Sequence, residues 1–314
     1  MKPHIIKQLS VFFIATSFCL FFSCKKESVI KSTATNFDTK FIVHKDFSKK
    51  NNSPEFKNYW YTGKAEISSY KLEQARYGKI REGHAVLVFV TEDFLPKPQV
   101  KADNQNPTNI PILKLNATKN FVTGIYPYSI MQSTFYPVVN TKHALKVSAS
   151  VQEWCGHVYV QLNNREQFEI NSHSYFEGEA DAAFKINKTI LENELWTKLR
   201  INPQSLPTGQ LQIIPSLEHS RLQHLNIKAY NAHATLNANT YSINYPELNR
   251  TLSITFNPKF PFDILSWEDT YKSGFGTNAK VLTTKATKLK TIKLAYWEKK
   301  NLEDESLRDT LKLN

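Results

Sequence analysis

The chain has 314 residues, is 41% apolar and 12% aromatic, and carries a formal net charge of +12. Those values exclude a low-complexity or disordered chain and leave room for one large domain, or two small ones, with a proper core. Twenty Phe and fourteen Tyr against two Met and nine Gly point towards sheet, and three cysteines are too few for a disulfide framework.

The first element is an export signal. Lys2, His4 and Lys7 precede an apolar run from Leu9 to Phe22, which closes on Ser23 and Cys24 before Lys25, Lys26 and Glu27. A basic start, an apolar centre and a small residue are the layout of a secretory signal. This run of 14 residues falls short of a spanning helix, which needs roughly 20. With a cysteine directly after the small residue, the segment resembles the lipobox of bacterial lipoproteins; Phe21 stands where an aliphatic residue is usual. The resemblance implies removal of residues 1–23 and acylation of Cys24 with three chains, an effectively permanent membrane anchor. Lys25 is not acidic, which implies an outer-membrane address in the cell envelope, facing the periplasm.

Loss of Lys2 and Lys7 lowers the net charge from +12 to +10. Outside the inner membrane the polyanions on offer are lipopolysaccharide, anionic lipid and cell-wall polymer, so the charge points to an anionic envelope component and not nucleic acid, with an apolar envelope component or another envelope protein as the alternatives. Of the cysteines, Cys19 leaves with the signal and Cys24 takes the lipid, so Cys155 has no intrachain partner.

Residues 24–56 read as the lipidated cysteine and a flexible tether. A β-rich lobe follows over 57–201. Within it, His84 to Thr91 is apolar on both faces and predicts a central, covered strand. Thr189-Ile-Leu-Glu192 reads as a capping box, and Leu191, Leu195 and Leu199 line one face of a helix over about 190–200, stopped by Pro203. Residues 202–216, with three prolines and Gly209, read as a connection, 217–300 as a second β-rich part, and 301–314 as a polar tail. Seven lysines between Lys280 and Lys300 face only Glu298; they predict a last, edge strand kept soluble by charge, or an anionic-surface patch. The fold class is mainly β: a large antiparallel sheet, sandwich or open barrel, in one or two lobes, with one short internal helix.

Chemistry concentrates between Val151 and Glu177. Two strands there place Trp154, Val158, Val160, Leu162, Phe168 and Ile170 on one face. Pairing Leu162 with Phe168 would then set His157 opposite His173, Cys155 opposite Tyr175 and Glu153 opposite Glu177. Two imidazoles, a thiol and two carboxylates are zinc-type ligands, and Cys155 with a histidine base is a nucleophile pair. Catalytic candidates are therefore Cys155, His157 and His173. Metal or ligand candidates are Glu153, His157, His173, Tyr175 and Glu177. No cofactor is predicted beyond a divalent metal such as zinc in that alternative. Ser68-Ser-Tyr-Lys71 fits a Ser-x-x-Lys pattern but lies in a strand-like run, without the helix that chemistry requires.

The start Trp60-Tyr-x-Gly63-Lys-Ala-Glu66 and the stretch Gln152-Glu-Trp-Cys-Gly-His157 are similar to an uncharacterised family of Gram-negative envelope lipoproteins, sometimes labelled septum formation inhibitor. The Ser-Pro-Arg-Arg loop of the enzymes that own that label is missing. The reading is a lipid-anchored envelope protein, a non-enzymatic binding or scaffold module. Its alternative is a hydrolase or metal-binding protein using the Glu/Cys/His cluster.

Overall fold

The computed structural model describes residues 53–139 and 143–313. Cys24 and the predicted signal and most of the tether lie outside them. In chain order, helix α1 (Pro54–Trp60) is followed by β1 (Ala65–Arg76), β2 (Lys79–Leu95), β3 (Val100–Lys101), β4 (Ile110–Thr123), β5 (Tyr126–Pro137), β6 (Lys146–Glu153), β7 (Gly156–Asn164), β8 (Phe168–Ser174) and β9 (Ala182–Ile186). Then come β10 (Ile190–Leu191), helix α2 (Glu192–Ile201), β11 (Gly209–Ile214) and helix α3 (Leu217–Leu222). The chain finishes with β12 (Tyr230–Asn237), β13 (Thr240–Tyr245), β14 (Arg250–Phe256), β15 (Ile264–Ser273), β16 (Lys280–Leu294) and helix α4 (Ser306–Thr310).

The fold is mainly β, and its 16 strands make one sheet. The order is β10-β11-β12-β13-β14-β15-β16-β1-β2-β4-β5-β6-β7-β8-β9, with β3 attached to β2. Each ladder is antiparallel except the short β10–β11 pair. Strands of both predicted lobes share this sheet, and the stretch 202–216 contributes β11 to it. The β1–β16 ladder, with Ala65 opposite Leu294, joins the two wings at the middle. β9 and β10 are its edges and no ladder joins them, so the sheet is open.

Central position explains the two-faced apolar strand. Leu87 and Phe89 of β2 enter the main core, while Val86, Val88 and Val90 pack on the other face with Ala65, Ile67, Ile292 and Leu311. The segment 301–314 is therefore more than a polar tail: its helix α4 delivers Leu311 onto the outer side of β1 and β2. Likewise Pro54 begins α1 inside the stretch predicted as tether. Ser53 Oγ accepts from Phe56 N–H at 3.1 Å, and Phe56 and Trp60 are buried.

The lysine-rich strand is not an edge. β16 lies between β15 and β1 and has both ladders satisfied. Its lysines fall on both faces: Lys285 and Lys290 are exposed, whereas Lys288 pairs with Asp263 and Lys293 sits 3.6 Å from the centroid of the Tyr59 ring, which packs on the main core. Lysines that are partly exposed and partly paired on a central strand leave the same charge pattern in a sequence as a protected edge.

The predicted helix is present but starts later. Thr189 Oγ1 donates to Gln212 O at 2.7 Å, and Ile190–Leu191 are drawn into the ladder with Ile213–Ile214. Glu194, not Glu192, accepts from the free N–H of Leu191 at 3.2 Å. Leu195 and Leu199 are buried as expected. Helix α2 and α3 lie against the inner face and are bonded to both wings. Asn193 Nδ2 donates to Gln132 of β5, while Glu192 accepts from Arg250 of β14. The two wings therefore curl around these helices.

Candidate functional site

The hairpin of the sequence reading has a different register. Glu153 pairs with Gly156, so Trp154 and Cys155 form a two-residue turn between β6 and β7 and are not part of a continuous strand. Trp154, expected in the core, is 68% exposed. Val158, Val160, Leu162, Phe168 and Ile170 are buried together. On the next ladder Leu162 faces Ile170 and Asn164 faces Phe168, two residues away from the predicted pairing. A slip of two preserves the face of every side chain, so apolar matching cannot detect it; the tight turn at 165–167, where Arg165 N–H donates to Gln167 O, decides.

The consequences for the candidate residues are direct. His173 lies opposite Tyr159, not His157, and His157 opposite Gln152. Both histidines are exposed on the outer face. His173 Nδ1 is 3.5 Å from the exposed Asp181. Tyr175 and Glu177 follow the end of β8, and Tyr175 lies over Gly156, where an added Cβ would come within 2.9 Å of its ring. Glu153 turns back to accept from the Cys155 N–H at 2.8 Å. The hydrogen bond and negative charge of Glu153 push the Cys155 thiol up, away from the thiolate that a nucleophile or metal ligand requires. Among the described residues no three His, Cys, Asp or Glu side chains gather as a metal site.

Buried chemistry lies instead under α2 and α3. A cavity with about 60 Å³ open to water centres separates these helices from the inner faces of β1, β4, β5, β14, β15 and β16. At roughly 10–15 Å³ for one water, it accommodates a few waters or one compact molecule. Leu87, Leu115, Leu252, Trp196 and Trp267 make its apolar side. The two indoles meet edge to face, with centroids 5.3 Å apart.

The polar side is held by two bonded groups. In the first, Arg250 donates to both oxygens of Glu192 (2.6 and 2.8 Å) and both of Asp269 (2.7 and 3.0 Å), while Tyr245 Oη donates to Glu192 at 2.7 Å. Arg250 is 2% exposed, so these pairs operate at low dielectric, where removing one partner is severe. In the second, Glu218 accepts from Lys119 at 2.7 Å and from Gln132 at 2.8 Å, and Gln132 accepts from Asn193 at 2.9 Å. Gln74 completes the wall: its amide nitrogen reaches Tyr271 and Thr284, and its Oε1 has no partner.

Ser216, His219 and Asp269 share this cavity, the residue types of a nucleophile relay. Their geometry does not make one. Ser216 Oγ accepts from His219 N–H as the cap of α3, and His219 Nδ1 stands 3.7 Å from Asp269, beyond hydrogen-bond length. Burial, reinforced by Arg250, also holds the His219 imidazole well below the usual histidine range, which makes it a weak base. The arrangement is suited to holding a ligand. Neither Ser216 nor His219 was singled out from the sequence. The sequence reading used Glu192 only in a capping box, placed Glu218, His219 and Arg250 in the second β-rich part without a role, and had no spacing to link residues so far apart.

No family model and no curated protein matches the chain. Among solved structures it is similar to the crystal structure of a β-barrel-like protein of the domain of unknown function DUF1849 from Brucella abortus. The two are 7% identical over 73% of this chain and 97% of that chain, with a TM-score of 0.41.

Proposed function

We propose that this is a lipid-anchored cell-envelope protein, held at the outer membrane through Cys24 and facing the periplasm, whose domain is a non-enzymatic binding module. The observation that carries the binding reading is the cavity between α2, α3 and the two wings, apolar on one side and lined by fixed polar groups on the other. Such a mixed lining, few polar groups in an apolar concavity, is the common form of a small-molecule site. The strands around it are long and the helices are tied to both wings, so the site is preformed. The signal-like segment and the basic residues after Cys24 support the anchor. The hydrolase or metal alternative on the 151–177 hairpin lacks a concavity, because its imidazoles and thiol lie on an exposed face and turn.

Two measurements test the reading. Native mass spectrometry of the full chain released from its own membranes in mild detergent should reveal a bound small molecule. Ala117→Phe, which fills the cavity from β4, should abolish that adduct; an adduct that persists in the filled variant places the ligand elsewhere. For the anchor, Cys24→Ser should remain unprocessed and free of labelled palmitate, and continued labelling removes the lipoprotein reading.

A further inference from the structure

Resting on the cavity as the ligand site, we infer that its ligand is a compact organic cation, an alkylammonium with an apolar body. Three carboxylates line the cavity (Glu192, Glu218 and Asp269) against two cations, Lys119 and Arg250. His219 supplies no charge, since burial and the neighbouring Arg250 keep it neutral. The lining therefore carries one formal negative charge without a counter-charge, at a place where an uncompensated charge is expensive. Arg76 lies behind Leu222 but does not provide the missing cation. Its guanidinium donates to Leu222 O and to the Tyr77 and Tyr128 hydroxyls, not to a carboxylate.

Two further features suit an ammonium group. Gln74 is 2% exposed, lines the cavity and leaves Oε1 without a donor. Its orientation is set by the network: Tyr271 Oη donates to Ala75 O, so that oxygen must accept from the Gln74 amide, which leaves the carbonyl free for a ligand. Opposite, Trp196 and Trp267 offer indole surface for the alkyl body and for cation–π attraction. An anion would meet Glu218 and Asp269 with both cations already engaged.

The test compares each cation with a neutral molecule of its own shape. The full chain in neutral detergent is titrated with propylammonium against 1-propanol, and with choline against 3,3-dimethylbutan-1-ol, following tryptophan fluorescence and thermal midpoint. At least one cation should bind on the order of ten-fold more tightly than its isostere. Lys119→Gln, which makes the lining more negative, should widen that preference. Glu218→Gln, which makes it neutral, should narrow it. Both break the same ion pair, so general damage moves them together and only charge moves them apart. The inference is overturned if neither cation exceeds its isostere, or if the two variants shift in one direction. A neutral or anionic molecule found bound in the cavity by mass spectrometry would overturn the charge class and leave the binding module standing. No ligand in the cavity at all would remove both.

Discussion

The β6–β8 hairpin and the interior beneath α2 and α3 hold the same kinds of residues and put them to opposite uses. At the hairpin, Glu153, Cys155, His157 and His173 lie close in sequence, yet each is on a wet turn or outer face and meets one partner at most. In the interior, Glu192, Glu218, His219, Arg250 and Asp269 come from four elements and are buried or nearly so, with fixed partners. Proximity along the chain brings polar groups together cheaply on a surface. Desolvation is what makes them selective, because a buried charge must be answered by a specific neighbour.

Breaking the interior should have the largest effect. Arg250→Met leaves Glu192 and Asp269 buried without their cation and should destabilise the fold by about 3–5 kcal/mol in denaturant unfolding. Adding Glu192→Gln and Asp269→Asn should recover part of that loss; no recovery would mean that Arg250 acts by shape and not by charge. On the hairpin the apolar face should dominate. Leu162→Ala, at a fully buried position, should cost about 2–5 kcal/mol, and an effect no larger than that of Trp154→Ala would contradict the observed register.

A pH series sharpens the same contrast. His219 is held neutral in the fold, its proton affinity lowered by burial and then by Arg250, with Lys119 adding to the effect and Glu192 opposing it. Below about pH 6.5 the unfolded chain takes up a proton there that the folded chain refuses. Stability from this group is thus complete above that pH and is lost as pH falls, by at most about 1.4 kcal/mol per pH unit. His219→Gln should flatten this part of the profile; equal profiles for wild type and His219→Gln would refute the assignment. The smallest effects belong to the outer face. Cys155→Ser, His157→Ala and His173→Ala should each change stability by less than about 0.5 kcal/mol, and the triple variant should bind zinc as the wild type does in calorimetry. A clear fall in zinc affinity would restore the hairpin as a site.

Which stretches are strands was legible because alternation and β-branched content are local properties: His84 to Thr91 reads as covered from its own composition and is covered. The helix near 190 was legible from its leucine spacing, although its first residue shifted when Ile190–Leu191 found a strand partner in Ile213–Ile214. Faces were mostly legible too, since parity along a strand decides them. Register was not, because a two-residue slip leaves parity intact, and the break at Trp154-Cys155 carried no turn signal beyond Gly156.

The sequence by itself determined the β class, the apolar inner face of β7 and β8, and the placement of a leucine-faced helix. Tertiary structure alone decided that the wings form one sheet, through pairings such as Ser68 Oγ with Thr291 Oγ1, 223 residues apart at 2.8 Å. It alone decided that Lys280–Leu294 is central and not an edge, and that Arg250 sits between Glu192 and Asp269. The physical reason is common to all three. Local pattern specifies which side of an element prefers water, whereas ladder neighbours and buried counter-charges depend on segments that meet only after the chain has folded.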